Sequence, residues 1–74
     1  MTGMTVVTVW LNGERRELAA GTTLERLVTE LTPPPPPTGV AAAVNETVIP
    51  RGRWAGTALA DGDRIELLTA VQGG

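Results

Sequence analysis

The most informative property of this 74-residue sequence is the set of residues that it lacks. It contains no cysteine, histidine, serine, lysine, tyrosine or phenylalanine. These absences exclude disulfides, thiolate metal sites, a side chain that ordinarily titrates near neutral pH, and Schiff-base chemistry. What remains is mainly eight carboxylates, six arginines and the two chain ends. This set disfavours an enzyme, and we therefore predict no catalytic residues of its own and no metal site.

Charge and hydropathy exclude further classes of protein. The net charge is −2 and the six arginines are scattered singly, which disfavours a nucleic-acid partner. No apolar run approaches the roughly 20 residues that cross a bilayer, and no signal peptide is visible, so we expect a cytoplasmic protein without a membrane partner. The length fits one domain over residues 1–74 with a small core.

The first half of the sequence predicts a β-hairpin. Residues 4–11 (MTVVTVWL) are rich in β-branched residues, and the turn formers Asn12-Gly13 precede a returning strand over residues 14–20. Period-two alternation places Val7, Val9 and Leu11 on the core face. The same alternation places Trp10 on the opposite face.

A short helix is predicted next. Four apolar residues recur at helical spacing, namely Leu24, Leu27, Val28 and Leu31. Thr22 and Thr23 are candidate N-caps, and Thr22 with Glu25 has the spacing of a capping box. The prolines at 33–37 end the helix. They are more consistent with a stiff loop than with a polyproline ligand.

The second half predicts three more strands. Residues 39–45 form an apolar run typical of a buried strand, and residues 47–49 and 64–69 supply the others. Between them, residues 51–60 are predicted to be irregular with Trp54 pointing inward, and Asp61-Gly62-Asp63 a solvated turn. The order predicts an α+β fold, a mixed sheet of four to five strands with one main helix on one face.

Two features of this arrangement are candidates for function. Trp10 and Leu68 are large apolar residues on the uncovered sheet face, which indicates either a docking patch or ordinary exposure. Residues 70–74 are expected to form a flexible tail that includes Gly73-Gly74. Because glycine has no Cβ, such a tail can thread a narrow channel and present the Gly74 carboxylate to an enzyme.

Several segments resemble the ThiS family of ubiquitin-like β-grasp proteins, the sulfur carriers of thiamine biosynthesis. The matching segments are Leu11-Asn12-Gly13, residues 20–24 (AGTTL), residues 43–51 (AVNETVIPR) with Trp54, residues 59–67 (LADGDRIEL) and Gly73-Gly74. They cover nearly the whole sequence from about Val7. The proline run and the first six residues depart from the family pattern.

The resemblance implies a β-grasp fold and the role of a carrier that binds no cofactor itself. An E1-like adenylyltransferase (ThiF-type) would use MgATP to adenylate Gly74, a persulfide sulfur donor would convert it to a thiocarboxylate, and thiazole synthase (ThiG-type) would take the sulfur. Gly73 would give clearance, and Val71 and Gln72 would contact the partners. Two alternatives remain open, a sulfur carrier for another pathway such as molybdopterin synthesis, and a ubiquitin-like binding module.

Overall fold

Five strands, one α-helix and one 3₁₀ helix make up the part of the chain that the computed structural model describes, residues 5–32 and 39–69. They follow in the order β1 (Val6–Leu11), β2 (Glu14–Ala19), α1 (Leu24–Leu31), β3 (Val40–Val44), β4 (Thr47–Ile49), the 3₁₀ helix (Arg51–Gly56) and β5 (Arg64–Thr69). This order confirms the predicted α+β class. The predictions for the prolines at 33–37 and the tail at 70–74 lie outside the described residues.

The strands form one mixed sheet in the order β2-β1-β5-β3-β4. β1 and β5 pair in parallel, with Leu11 opposite Ile65, and the other three pairs are antiparallel. The last strand of the described part, β5, therefore lies at the centre of the sheet, between β1 and β3. No helix in the described ranges is long and apolar enough to cross a membrane.

Both hairpins close with two residues of positive φ. Asn12 and Gly13 have φ of 49° and 85°, and Asn45 and Glu46 have φ of 51° and 71°. These dihedrals suit tight hairpins because their twist matches that of the flanking strands. The predicted turn at Asn12-Gly13 is confirmed.

Helix α1 begins one residue later than the predicted capping box requires. Thr23 is the N-cap, and its hydroxyl accepts a hydrogen bond from the Arg26 backbone N–H at 3.2 Å. The Thr22 hydroxyl instead donates to the Ala19 carbonyl at 2.6 Å. The pairing of Thr22 with Glu25 was thus wrong, since the preceding turn already uses Thr22.

The core lies between one sheet face and the two helices. Its buried members are Val9, Leu11, Leu24, Leu27, Val28, Ala42, Trp54, Leu59 and Ile65. The inward positions predicted for β1, α1 and Trp54 are confirmed. β3 is not buried throughout, because only Ala42 is buried and Ala41 is exposed. Alternate residues of β3 face the side of the sheet that carries no helix.

Candidate functional site

The uncovered sheet face presents several large apolar side chains to solvent. Trp10 is 43% exposed, and Val48 and Leu68 are each 70% exposed. Because alternate residues of a strand share a face, all three belong to the face opposite α1. The exposure predicted for Trp10 and Leu68 is therefore present.

Trp10 and Leu68 do not form one contiguous patch. Trp10 pairs with Arg15 of β2 and lies level with Arg64 of β5. Leu68 is four residues further along β5, about 13 Å away along the strand direction at about 3.3 Å per residue. Glu66 occupies the position between them on the same face. The two side chains lie on neighbouring strands, as expected, but in different surroundings.

Leu68 instead belongs to an apolar strip that crosses three strands. Leu68 lies opposite Ala41, and Ala43 lies opposite Val48. We call Ala41, Ala43, Val48 and Leu68 the apolar strip; its two small residues form a low floor between two large exposed ones. Val48 was not predicted to be part of this surface. Its signal was the alternation in Thr47–Ile49, which places Val48 outward.

The turn before β5 is fixed by its own carboxylates. Asp61 Oδ1 accepts the backbone N–H of Thr8 at 2.7 Å, and Asp63 Oδ2 accepts that of Ala60 at 2.8 Å. Asp63 Oδ1 also accepts from Asn45 Nδ2 at 3.0 Å. The prediction of a merely solvated turn was incomplete, because these bonds fasten β5 to the rest of the sheet. The described residues contain no cluster of three or more metal-ligating side chains.

Trp54 anchors the segment that follows β4. Its indole is 4% exposed, and Nε1 donates to the Ile49 carbonyl at 2.8 Å. The Arg51 guanidinium lies 5.1 Å from the centroid of the ring, within cation–π distance. The segment from β4 to Trp54 is therefore held together by its own contacts, which gives it a structural role.

The tail continues from the end of β5. Thr69 is the last described residue, so the predicted roles of Val71, Gln72, Gly73 and Gly74 concern residues outside the described part. Gly74 is the fifth residue after Thr69, and a fully extended chain covers at most about 18 Å in five steps. Any enzyme that acts on Gly74 must approach the end of β5 to this distance.

Comparisons with known proteins agree with this architecture. The family model of the ThiS family matches residues 9–74. The sulfur carrier protein ThiS of Escherichia coli (strain K12) is 33% identical over 66 residues, which cover 89% of this chain and 97% of that protein. The crystal structure of the thiamine biosynthesis protein ThiS from Geobacter metallireducens superposes with a TM-score of 0.74 at 24% identity, covering 92% of this chain and 100% of that one. The structural likeness shows a common fold.

Proposed function

This chain belongs to the ThiS family, and from that membership we propose that it carries sulfur for thiazole formation in thiamine biosynthesis. The observation that supports the proposal most is that the family match runs through Gly73 and Gly74. The mixed sheet with one helix is the β-grasp arrangement of the family.

The proposed chemistry takes place at the Gly74 carboxylate. The carboxylate attacks the α-phosphorus of MgATP on an E1-like adenylyltransferase, and pyrophosphate leaves. A persulfide then displaces AMP from the acyl-adenylate, and a thiol supplies the two electrons that release the thiocarboxylate. Thiazole synthase consumes this sulfur and returns the carboxylate.

The chain itself contributes the reacting carboxylate of Gly74 and the surface that contacts the enzymes. Gly73 leaves room around the reacting carbonyl, and Val71 and Gln72 contact the enzymes. The sequence has no cysteine or lysine that would intercept the activated acyl group. No cofactor is required by the carrier, since its partners use the MgATP and the sulfur donor. We place these reactions in the cytoplasm.

The apolar strip is the proposed docking surface for the adenylyltransferase. Leu68 is adjacent to Thr69, the last described residue. Gly74 lies within about 18 Å of Thr69 along the chain. An enzyme of ordinary domain size that encloses Gly74 is therefore close enough to contact the end of β5 as well. Trp10, about 13 Å further back, lies at the margin of that contact.

Replacing Leu68 by Asp is expected to raise the KM of adenylation by about tenfold or more, because the charge must be desolvated at the interface. Trp10→Asp serves as the matched variant on the same face and is expected to have the smaller effect. Both residues are exposed, so both proteins should fold. Pyrophosphate release measures KM, and equal values for Leu68→Asp and the wild type would remove the strip as a docking surface.

Intact-protein mass spectrometry tests the proposed function. The chain is incubated with MgATP, an adenylyltransferase of this type and a persulfide donor, and we expect a mass gain equal to the replacement of one oxygen by sulfur. Transfer of that sulfur by thiazole synthase supports the thiamine pathway. Failure of that transfer points to a carrier for another pathway. No mass gain with a demonstrably active enzyme favours a binding module.

A further inference from the structure

The end of β5 extends beyond the strand that pairs with it in parallel. Leu11, the last residue of β1, lies opposite Ile65, and β5 continues to Thr69. At this level the chain of β1 has already entered the turn at Asn12-Gly13. On the β1 side, the outer half of β5 therefore lies beside a turn, while its other side pairs with β3 as far as Thr69.

Asn12 occupies the place that the next residue of β1 would have taken. Its backbone N–H donates to the Ile65 carbonyl at 2.8 Å. Its side-chain Oδ1 accepts the Leu67 backbone N–H at 3.0 Å, and Nδ2 donates to the Leu67 carbonyl at 3.3 Å. The carboxamide thus imitates a peptide group and extends the parallel ladder by one residue.

Leu67 depends on this side chain for its backbone hydrogen bonds. The bond from the Asn45 N–H to the Arg64 carbonyl marks a hydrogen-bonded pair of β3 and β5, and such pairs alternate along an antiparallel ladder. The polar backbone groups of Leu67 consequently point away from β3. Within residues 5–32 and 39–69, Asn12 is the partner of both groups.

We infer that Asn12 is a positioning residue for the tail. β3 holds Leu68 and Thr69 from one side, and Asn12 holds Leu67 from the other, so together they fix the point and the direction from which the chain leaves towards Gly74. Without this contact, the end of β5 around Leu67 samples more conformations, and the enzyme must order this segment on binding. The inference rests on the proposed function, since the quantity that Asn12 improves is the delivery of Gly74 to an activating enzyme.

Asn12→Gly is the variant that isolates the side chain. Glycine accepts the φ of 49° without strain and keeps the backbone N–H that donates to Ile65, so the hairpin is preserved. Asn12→Asp is the matched control, because its carboxylate still accepts the Leu67 N–H. Two readouts are needed: hydrogen exchange of the Leu67 amide, and KM and kcat for adenylation by an enzyme that activates the wild-type chain.

We expect Asn12→Gly to accelerate exchange at Leu67 while leaving the amides of β2 protected. Its KM should rise by about tenfold with an unchanged kcat, which matches the cost of ordering about one further residue. Asn12→Asp keeps the bond from the Leu67 N–H but turns an acceptor oxygen towards the Leu67 carbonyl, so both of its values should lie between those of Asn12→Gly and the wild type.

Two results would overturn the positioning role. Unchanged exchange at Leu67 would show that the side chain does not hold β5. Faster exchange with a wild-type KM would show a purely structural contact. A wild-type chain that adenylyltransferases do not activate would instead defeat the proposed function, and the role of Asn12 in delivering Gly74 with it.

Discussion

A variant that lacks Gly74 is expected to gain no sulfur. Its new carboxylate would lie about 3.5 Å short of the natural position, the length of one extended residue. Misplacement of a reacting group by about 1 Å already costs about 10²-fold in rate, so adenylation should fall below detection. Intact-protein mass spectrometry under the conditions that modify the wild type measures the loss.

Two further measurements make the deletion informative. Gly74→Ala keeps the length of the tail and adds only a methyl group, so it separates the need for reach from the need for clearance. Binding of the deletion variant to the adenylyltransferase should persist, since the apolar strip is unchanged. Sulfur transfer to a chain that ends at Gly73 would show that Gly74 is not the required acceptor.

Trp54→Ala is expected to destabilise the domain by about 3–5 kcal/mol, because it empties a buried aromatic site and removes a hydrogen bond. At about 0.05–0.15 kcal/mol per residue, a chain of this length has a free energy of unfolding of about 4–11 kcal/mol. A large fraction of the variant should therefore be unfolded at 37 °C if the wild type is near the lower value. Urea denaturation followed by circular dichroism measures the change.

Trp54→Phe separates the two contributions of the indole. Phenylalanine keeps most of the ring but cannot donate to the Ile49 carbonyl, so we expect a smaller loss of about 1–2 kcal/mol. If Trp54→Ala denatured at the wild-type urea concentration, the anchoring role of the indole would be refuted. Trp54→Phe should remain folded, and it therefore serves as the folded reference for Trp54→Ala.

Local patterns predicted the elements of this fold well. The alternation in β1 predicted which residues face the core, and Asn12-Gly13 predicted a turn whose dihedrals only a few residue types tolerate. The inward position of Trp54 was also predicted. Each of these features depends on interactions between residues close together in the sequence, which is why the sequence alone was sufficient.

Features that depend on distant residues could not be predicted from the residue patterns. Asn12 reaches a strand 55 residues away, and Asp61 caps a backbone N–H 53 residues away. The register of β5 decides that Leu68 joins Val48 and is separated from Trp10, and the residue pattern contains no signal for that register. Thr23, one of the two N-cap candidates, is the N-cap, and the predicted capping box was misplaced by one residue because two adjacent threonines offer the same hydroxyl.

The central place of β5 determines when this chain is able to fold. The sheet has no continuous ladder until residues 64–69 insert between β1 and β3, so its assembly requires closure of a loop that spans most of the chain. Such non-local pairing slows folding relative to helical proteins of similar size. During synthesis the hairpin and helix emerge first but lack the strand that joins them. We therefore expect the domain to fold only after residue 69 has left the ribosome, in a single late step.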